Sequence, residues 1–291
     1  MGGFKIYLKK IIQLIRFSLF FYYNKSIDNA INLSAYKKNN IFKKIKFKFF
    51  GNFFTSPLSN QTLLAIKKME ESKKTIQQIY KKLDCPTEIF DIGANIGYWS
   101  YSFIKINGIK IKKIHCFEPF SISFKYLKLN LGDIENVILY NYGLSNADYE
   151  DKISLPEWEF KRSDNLGLYS VFSNSDINSE IIKLKKFDNI FYIRNQTNYL
   201  FKIDVEGMEN KVIEGAFKFL SSKNKISVII ELNKKIDQYA DNNIEKSIEL
   251  LDRLKFKPFL FVNDSFHQIK YDDLKSKINN NQIYDFIFKN F

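Results

Sequence analysis

What most constrains this chain is a change of pattern after residue 84. From there, short apolar runs alternate with stretches whose apolar residues recur at helical spacing. That is how a parallel sheet with crossover helices writes itself into a sequence. Strands are expected at Glu88–Ile92, Lys113–Phe117, Val137–Tyr142, Tyr199–Asp204, Ser227–Leu232, Pro258–Val262 and Tyr284–Phe288. Helices are expected between them at Ile96–Asn107, Ser121–Leu131, Glu209–Ser221 and Asn243–Leu254. Residues 146–198 are polar and lack a period, so they read as a long irregular excursion of the kind that carries function or stays disordered.

Residues 1–84 are different in kind. They hold 17 Lys/Arg against 4 Asp/Glu, the whole of the net charge of +13, whereas residues 85–291 balance 28 basic against 28 acidic side chains. A general polyanion groove is therefore not expected in the second part. The basic excess is almost all lysine, with four arginines in the chain, and bidentate base or phosphate contacts favour arginine. Both facts argue against nucleic acid as the partner. Within this part, Phe4–Tyr23 reads as a basic, strongly apolar helix. Its uncharged run is shorter than the roughly 20 residues of a membrane span, and no small-residue cleavage site follows. Two readings stay open, a helix capping the domain core or one lying in a membrane interface with its lysines on acidic headgroups. Ile41–Phe54 alternates Phe/Ile with Lys, as a short strand or a surface-binding patch would, and Ser59–Leu83 has helical spacing up to Pro86. The expected organisation is a basic, mainly helical segment, 1–84, followed by one α/β domain, 85–291.

Two cysteines, Cys85 and Cys116, form no close pair or Cys/His cluster. A disulfide framework or zinc site is therefore not expected, and the thiols fit a reducing cytoplasm.

Three motifs carry chemistry. The first, Ile89–Tyr98, is an apolar strand ending in Asp91, then a glycine-containing turn, then a helix. Gly93 and Gly97 allow a tight turn and close approach of a nucleoside-type ligand. A dinucleotide fingerprint fails, because its three glycine positions read Gly93, Asn95 and Tyr98, and no Lys-Ser/Thr follows to make a phosphate-binding loop. The second, Lys113–Pro119, ends a strand at Glu118, 27 residues after Asp91. A carboxylate there can accept both hydroxyls of a ribose; the bland alternative is a solvated strand-end acid. The third, Leu200–Gly207, delivers Lys202, Asp204 and Glu206 at alternating positions, which places all three on one face if the strand persists. Such a set is costly to bury unless paired, and the ligand-facing ends of parallel strands are where it belongs. The alternative is a Lys–Asp ion pair with a helix-capping Glu.

With these motifs the sequence resembles the FkbM family of methyltransferases. The resemblance rests on Asp91–Gly97, Phe117–Pro119, and Lys202–Gly207 followed by Glu209, Val212, Gly215 and Ala216, with Tyr142–Ser145 and Ile230–Leu232 in support. It spans 85 to about 291. It implies a class I methyltransferase fold, a Rossmann-like seven-stranded sheet with an antiparallel last strand. It also implies S-adenosylmethionine as donor and a hydroxyl acceptor, polyketides and sugars of surface glycans being known in the family. By position, Asp91, Gly93, Ala94, Asn95 and Gly97 would shape the donor site, with Asp91 favouring its ammonium. Glu118 and Pro119 would sit at the ribose, and Leu144 and Ser145 would border the adenine.

The donor's methyl is already activated, so the protein must align an oxygen nucleophile and remove its proton. Asp204 is the first candidate for that role and Glu206 the second, with Lys202 tuning them or fixing the methionine carboxylate. Asp204, Glu206 and Glu231 could in principle hold a hard cation, although the sequence does not call for a metal. Trp158, Phe160, Tyr169 and Phe172 in the excursion are candidate acceptor contacts. His115 lies inside a strand and reads as structural. Asp204-Val205-Glu206-Gly207 replaces the Asn/Asp-Pro-Pro-aromatic block of nucleobase amino-methyltransferases. Two rivals stay open, an RNA methyltransferase using the basic segment and a catalytically silent membrane-surface protein of the same fold.

Overall fold

The computed structural model describes residues 45–49, 52–56, 83, 86–107, 110–154, 179–233, 237, 240, 243–262, 265–278 and 283–291. They belong to two compact units, one with the first two strands and one with everything from residue 83 onward.

In the first unit, β1 (Ile45–Phe49) and β2 (Asn52–Ser56) form an antiparallel hairpin whose register leaves two residues between the strands. Within the expected stretch 41–54, the described residues 45–49 and 52–54 are strand. The helices expected at Phe4–Tyr23 and Ser59–Leu83 fall outside the described residues, apart from Leu83.

The second unit is built on β3 (Glu88–Ile92), β4 (Lys113–Phe117), β5 (Val137–Tyr140), β9 (Tyr199–Ile203), β10 (Ile226–Asn233), β11 (Lys257–Val262), β12 (Ser265–Gln268) and β13 (Ile283–Lys289). Their order is β12-β11-β13-β10-β9-β3-β4-β5. β5, β4, β3, β9 and β10 run parallel, and β13 inserts antiparallel between β10 and β11. The seven expected strands are all present, and the eighth, β12, is an edge strand hairpinned to β11. Its sequence, Ser-Phe-His-Gln, is short and has no fully buried residue, so it carries no burial signature. Central β3 is buried along its whole length, as expected of a parallel strand covered on both faces.

Helices cover each face. On one, α1 (Tyr98–Asn107) reaches Asp91 through Ser100. On the other, α3 (Glu209–Gly215), α4 (Phe217–Leu220) and α5 (Asn243–Arg253) contribute Val212, Ile213, Phe219, Leu220, Ile244, Ile248 and Leu251 to the largest core cluster. The sheet contributes alternate residues to that cluster, Phe90 and Ile92, then Tyr199, Phe201 and Ile203, then Val228, Ile230 and Leu232. Phe90 is its centre, with ring centroids 4.8 Å from Phe201, 4.9 Å from Phe187 and 5.0 Å from Phe191. α2 (Ser121–Leu131) matches its expected limits.

Two sequence expectations need correction. The stretch 209–221 is two helices because the chain breaks at Ala216, whose ψ of 11° leaves the helical range. A Cβ at Gly215 would lie 2.0 Å from the Ser145 carbonyl oxygen, so the helix end is packed on the backbone that follows β5. The excursion is not irregular throughout. β6 (Gly143–Ser145), β7 (Tyr149–Ile153) and β8 (Glu180–Lys186) form a separate sheet of order β6-β8-β7, followed by a 3-10 turn at Phe187–Asn189. Ile182 and Leu184 point inward between exposed Ile181 and Lys183, a period of two. Trp158, Phe160, Tyr169 and Phe172 lie outside the described residues.

His115 is structural. Buried in β4, it stacks on Phe90 at 4.9 Å, and its ring nitrogens meet Glu88 Oε1 at 3.0 Å and the Tyr140 hydroxyl at 3.1 Å. Cys116 is a buried free thiol whose ionisation burial opposes, and Cys85 lies outside the described residues.

Candidate active site

The motif residues gather where β3, β4 and β9 end. After β3 the chain turns at Gly93 with φ of 82°, a left-handed conformation. A Cβ there would stand 1.8 Å from the Asp204 carbonyl oxygen, so a glycine lets the loop pass directly against the end of β9. The amides of Gly93 and Ala94 both donate to the Phe117 carbonyl, at 3.0 and 2.9 Å, and the Asp204 amide donates to Ile92 O at 3.0 Å. The three strand ends are thereby bolted together by backbone alone.

Glu118 is the hub of this loop. Its Oε2 accepts the Asn95 amide and its Oε1 the Phe120 amide, each at 2.9 Å. Asn141, just past β5, donates to the carbonyls of Glu118 and Pro119. The Glu118 residue is 7% exposed. Burial pushes its carboxyl up to about 7, against the pull of the two amides.

Asp91, Lys202 and Cys116 share one cross-strand row, since Asp91 is paired in register with both. Asp91 is fully buried. Its Oδ2 accepts the Ser100 hydroxyl at 2.6 Å, while Oδ1 faces Lys202 Nζ at 3.9 Å and accepts no hydrogen bond among the described residues. Burial raises the Asp91 carboxyl, with Lys202 and Ser100 opposing. Lys202 Nζ bonds Asp204 Oδ2 at 2.7 Å. Burial disfavours the Lys202 ammonium, but the charges of Asp204 and Asp91 outweigh it and hold the group above the usual lysine range. The lysine thus sits between two carboxylates, one sealed in and one, Asp204, with a side chain 29% exposed.

Glu206 does not continue the alternation. The strand stops at Ile203, and Glu206 adopts a φ of 52°, left-handed and strained for a residue with a Cβ. Its carboxyl is raised well above the usual range by burial, then by the charges of Asp204, Glu231 and Glu209. The turn that carries it is held by Glu209, whose Oε1 accepts the amides of Val205 and Gly207, both at 3.2 Å. Asn243, at the start of α5, donates its side-chain amide to Glu209 Oε2 and accepts the Asn210 amide at 2.9 Å. Among the described residues no three His, Cys, Asp or Glu side chains converge as a metal site would require.

Leu144 and Ser145 are buried in β6, Leu144 in the main core cluster and Ser145 with its hydroxyl 3.0 Å from the Tyr149 hydroxyl. A Cβ on Gly143, which opens β6, would come within 3.4 Å of Pro119 Cγ. Sequence reasoning passed over Ser100 and Asn243. An Asn heading an amphipathic helix is a capping signal, but nothing local reveals that its partner lies 34 residues back.

A parallel sheet of this order, closed by an antiparallel strand, with a glycine loop and an acid at adjacent strand ends, is the class I methyltransferase fold. The chain belongs to the FkbM methyltransferase family, whose domain model matches residues 91–258. Methyltransferases of this family take the methyl group from S-adenosylmethionine. The residues present fit that donor. Glu118 is a buried carboxylate with one amide on each oxygen, which leaves lone pairs for two ribose hydroxyls. Among curated proteins no match was found. Among solved structures the chain is similar to an FkbM methyltransferase from Methylobacillus flagellatus KT, at 14% identity and a TM-score of 0.41, over 70% of this chain and 43% of that one. It thus spans less than half of that protein. A SAM-dependent O-methyltransferase from Thermotoga maritima is 13% identical, TM-score 0.37, over 74% and 64%. TYW2 from M. jannaschii in complex with AdoMet is 13% identical, TM-score 0.42, over 88% and 89%.

Proposed function

We propose that residues 85–291 transfer the methyl group to a hydroxyl of a sugar, glycan or small-molecule acceptor. The observation that carries this reading is the Lys202–Asp204 pair at 2.7 Å, a part-exposed carboxylate anchored at the end of β9 beside the glycine loop. An alcohol needs a base as it is methylated, because its oxygen must shed a proton. Asp204 supplies an acceptor atom for that proton, and the bond to Lys202 fixes where it points.

The donor, when bound, supplies a sulfonium methyl that needs no further activation. Gly93, Ala94, Asn95 and Gly97 would shape the loop that holds it, and Glu118 would take the ribose hydroxyls. Pro119 would sit at the ribose, and Leu144 and Ser145 would border the adenine. Glu206 stands as the second carboxyl and Lys202 as the orienting cation. Acceptor choice falls to residues 146–198. The basic segment 4–23 makes a peripheral contact with an acidic membrane surface from the cytoplasmic side. No helix among the described residues is long and apolar enough to cross a membrane.

The test is incubation of the protein with methyl-labelled S-adenosylmethionine and a panel of sugars, glycan extracts, small alcohols and RNA. Label on an acceptor oxygen, lost in Asp204→Asn, is the expected result. Label on a nucleobase nitrogen would overturn the hydroxyl reading.

A further inference from the structure

Asp91 is a costly feature that the reaction above does not use. A fully buried carboxylate with one oxygen lacking a hydrogen bond among the described residues is normally selected out of a core. Its free oxygen points at Lys202 Nζ, 3.9 Å away, and the same nitrogen holds Asp204 at 2.7 Å. Register places Asp91 and Lys202 side by side on neighbouring strands, so this spacing is built into the sheet. Ser100, from α1, fixes the other oxygen.

We propose that Asp91 is the standing counter-ion of Lys202, a positioning residue that keeps the Asp91–Lys202–Asp204 row at one net negative charge until Asp204 takes up the acceptor's proton. This rests on the methyl-transfer reading given above and extends it. In the step, a lone pair of the acceptor oxygen forms the new O–CH3 bond while the S–CH3 bond breaks and its electron pair stays on sulfur. The hydroxyl proton passes to Asp204. Beforehand the row carries one negative charge opposite a sulfonium of one positive charge. Afterwards Asp204 is neutral, Lys202 and Asp91 cancel, and the sulfur is an uncharged thioether. Without Asp91 the row would begin neutral and end as an unpaired buried ammonium, which a low-dielectric site penalises.

The charge states of the two ligands make this measurable without an acceptor. S-adenosylmethionine carries the sulfonium and S-adenosylhomocysteine does not, so their affinity ratio reads the charge of the row. In the full-length chain, Asp91→Asn should weaken S-adenosylmethionine more than S-adenosylhomocysteine, by roughly tenfold in the ratio, the order expected of one unit charge across a partly buried site. A purely structural role would weaken both ligands by the same factor, and that result would overturn the proposal, as would an unchanged ratio. Lys202→Gln removes the positive charge instead, so it should move the ratio toward S-adenosylmethionine, and an unchanged ratio would contradict the proposal. This variant decides the matter if Asp91→Asn binds neither ligand, and a shift against S-adenosylmethionine contradicts the proposal. Calorimetry on the wild type separates the two levels. A chain that binds neither ligand loses the donor assignment as well, whereas normal binding with no ratio change in the variants removes only the role of Asp91.

Discussion

At the scale of single residues, the site depends on atoms that cannot be moved. Gly93→Ala would drive a Cβ into the Asp204 carbonyl at 1.8 Å from a left-handed φ. It should cost about 3 kcal/mol or more in urea unfolding, in the class of strained and overpacked substitutions. Glu118 gives a pH signature. Its folded carboxyl lies near 7 against an ordinary 4.5, so the native state binds the extra proton between those values. The group's contribution to stability is therefore full below about 4.5 and declines as pH rises through 7. Donor binding has the opposite sign, because ribose hydroxyls donate best to the ionised carboxylate. S-adenosylhomocysteine affinity should rise with pH up to and through about 7 in the wild type. Calorimetry across pH should show that slope disappear in Glu118→Gln.

At the scale of elements, the structure separates what periodicity can announce from what it cannot. β3, β4, β9 and β10 were legible because strands buried on both faces are continuous apolar runs, and α2 and α5 because one face of each is apolar. β12 was not, since Ser265 and Gln268 sit on an edge with no face to bury. β6 is three residues long and β8 is half-polar, and their pairing partners lie across the excursion. The glycine loop at the strand ends was legible through Gly93 and Glu118, whereas the left-handed turn at Glu206 was not, because the alternation of Lys202 and Asp204 reads straight on through it in the sequence. The reason that turn holds its shape is the Glu209–Asn243 contact between α3 and α5. Asn243→Ala should strand a buried carboxylate oxygen and destabilise the fold by about 1–3 kcal/mol. Thermal denaturation would measure that loss. Gly215→Ala tests packing against propensity. Helix propensity alone favours alanine by about 1 kcal/mol, but the Ser145 carbonyl at 2.0 Å from the new Cβ makes the substitution destabilising, which the same melt would reveal.

At the scale of the whole molecule, charge is segregated. The excess of +13 lies in residues 1–84 and the remainder is balanced. The full chain should sediment with vesicles rich in anionic lipid at low salt and release them at high salt, and removing residues 4–23, which carry Lys5, Lys9, Lys10, Arg16 and the apolar run, should weaken the sedimentation.

The central claim, that the ends of β3, β4 and β9 bind S-adenosylmethionine and present Asp204 to an acceptor, is tested most directly by titrating the full-length protein with S-adenosylhomocysteine beside Glu118→Ala and Asp204→Ala. The account predicts one saturable site, weakened by roughly 1–3 kcal/mol in Glu118→Ala and largely retained in Asp204→Ala. A folded wild-type chain that shows no binding, or a Glu118→Ala chain that binds as tightly as the wild type, would contradict it.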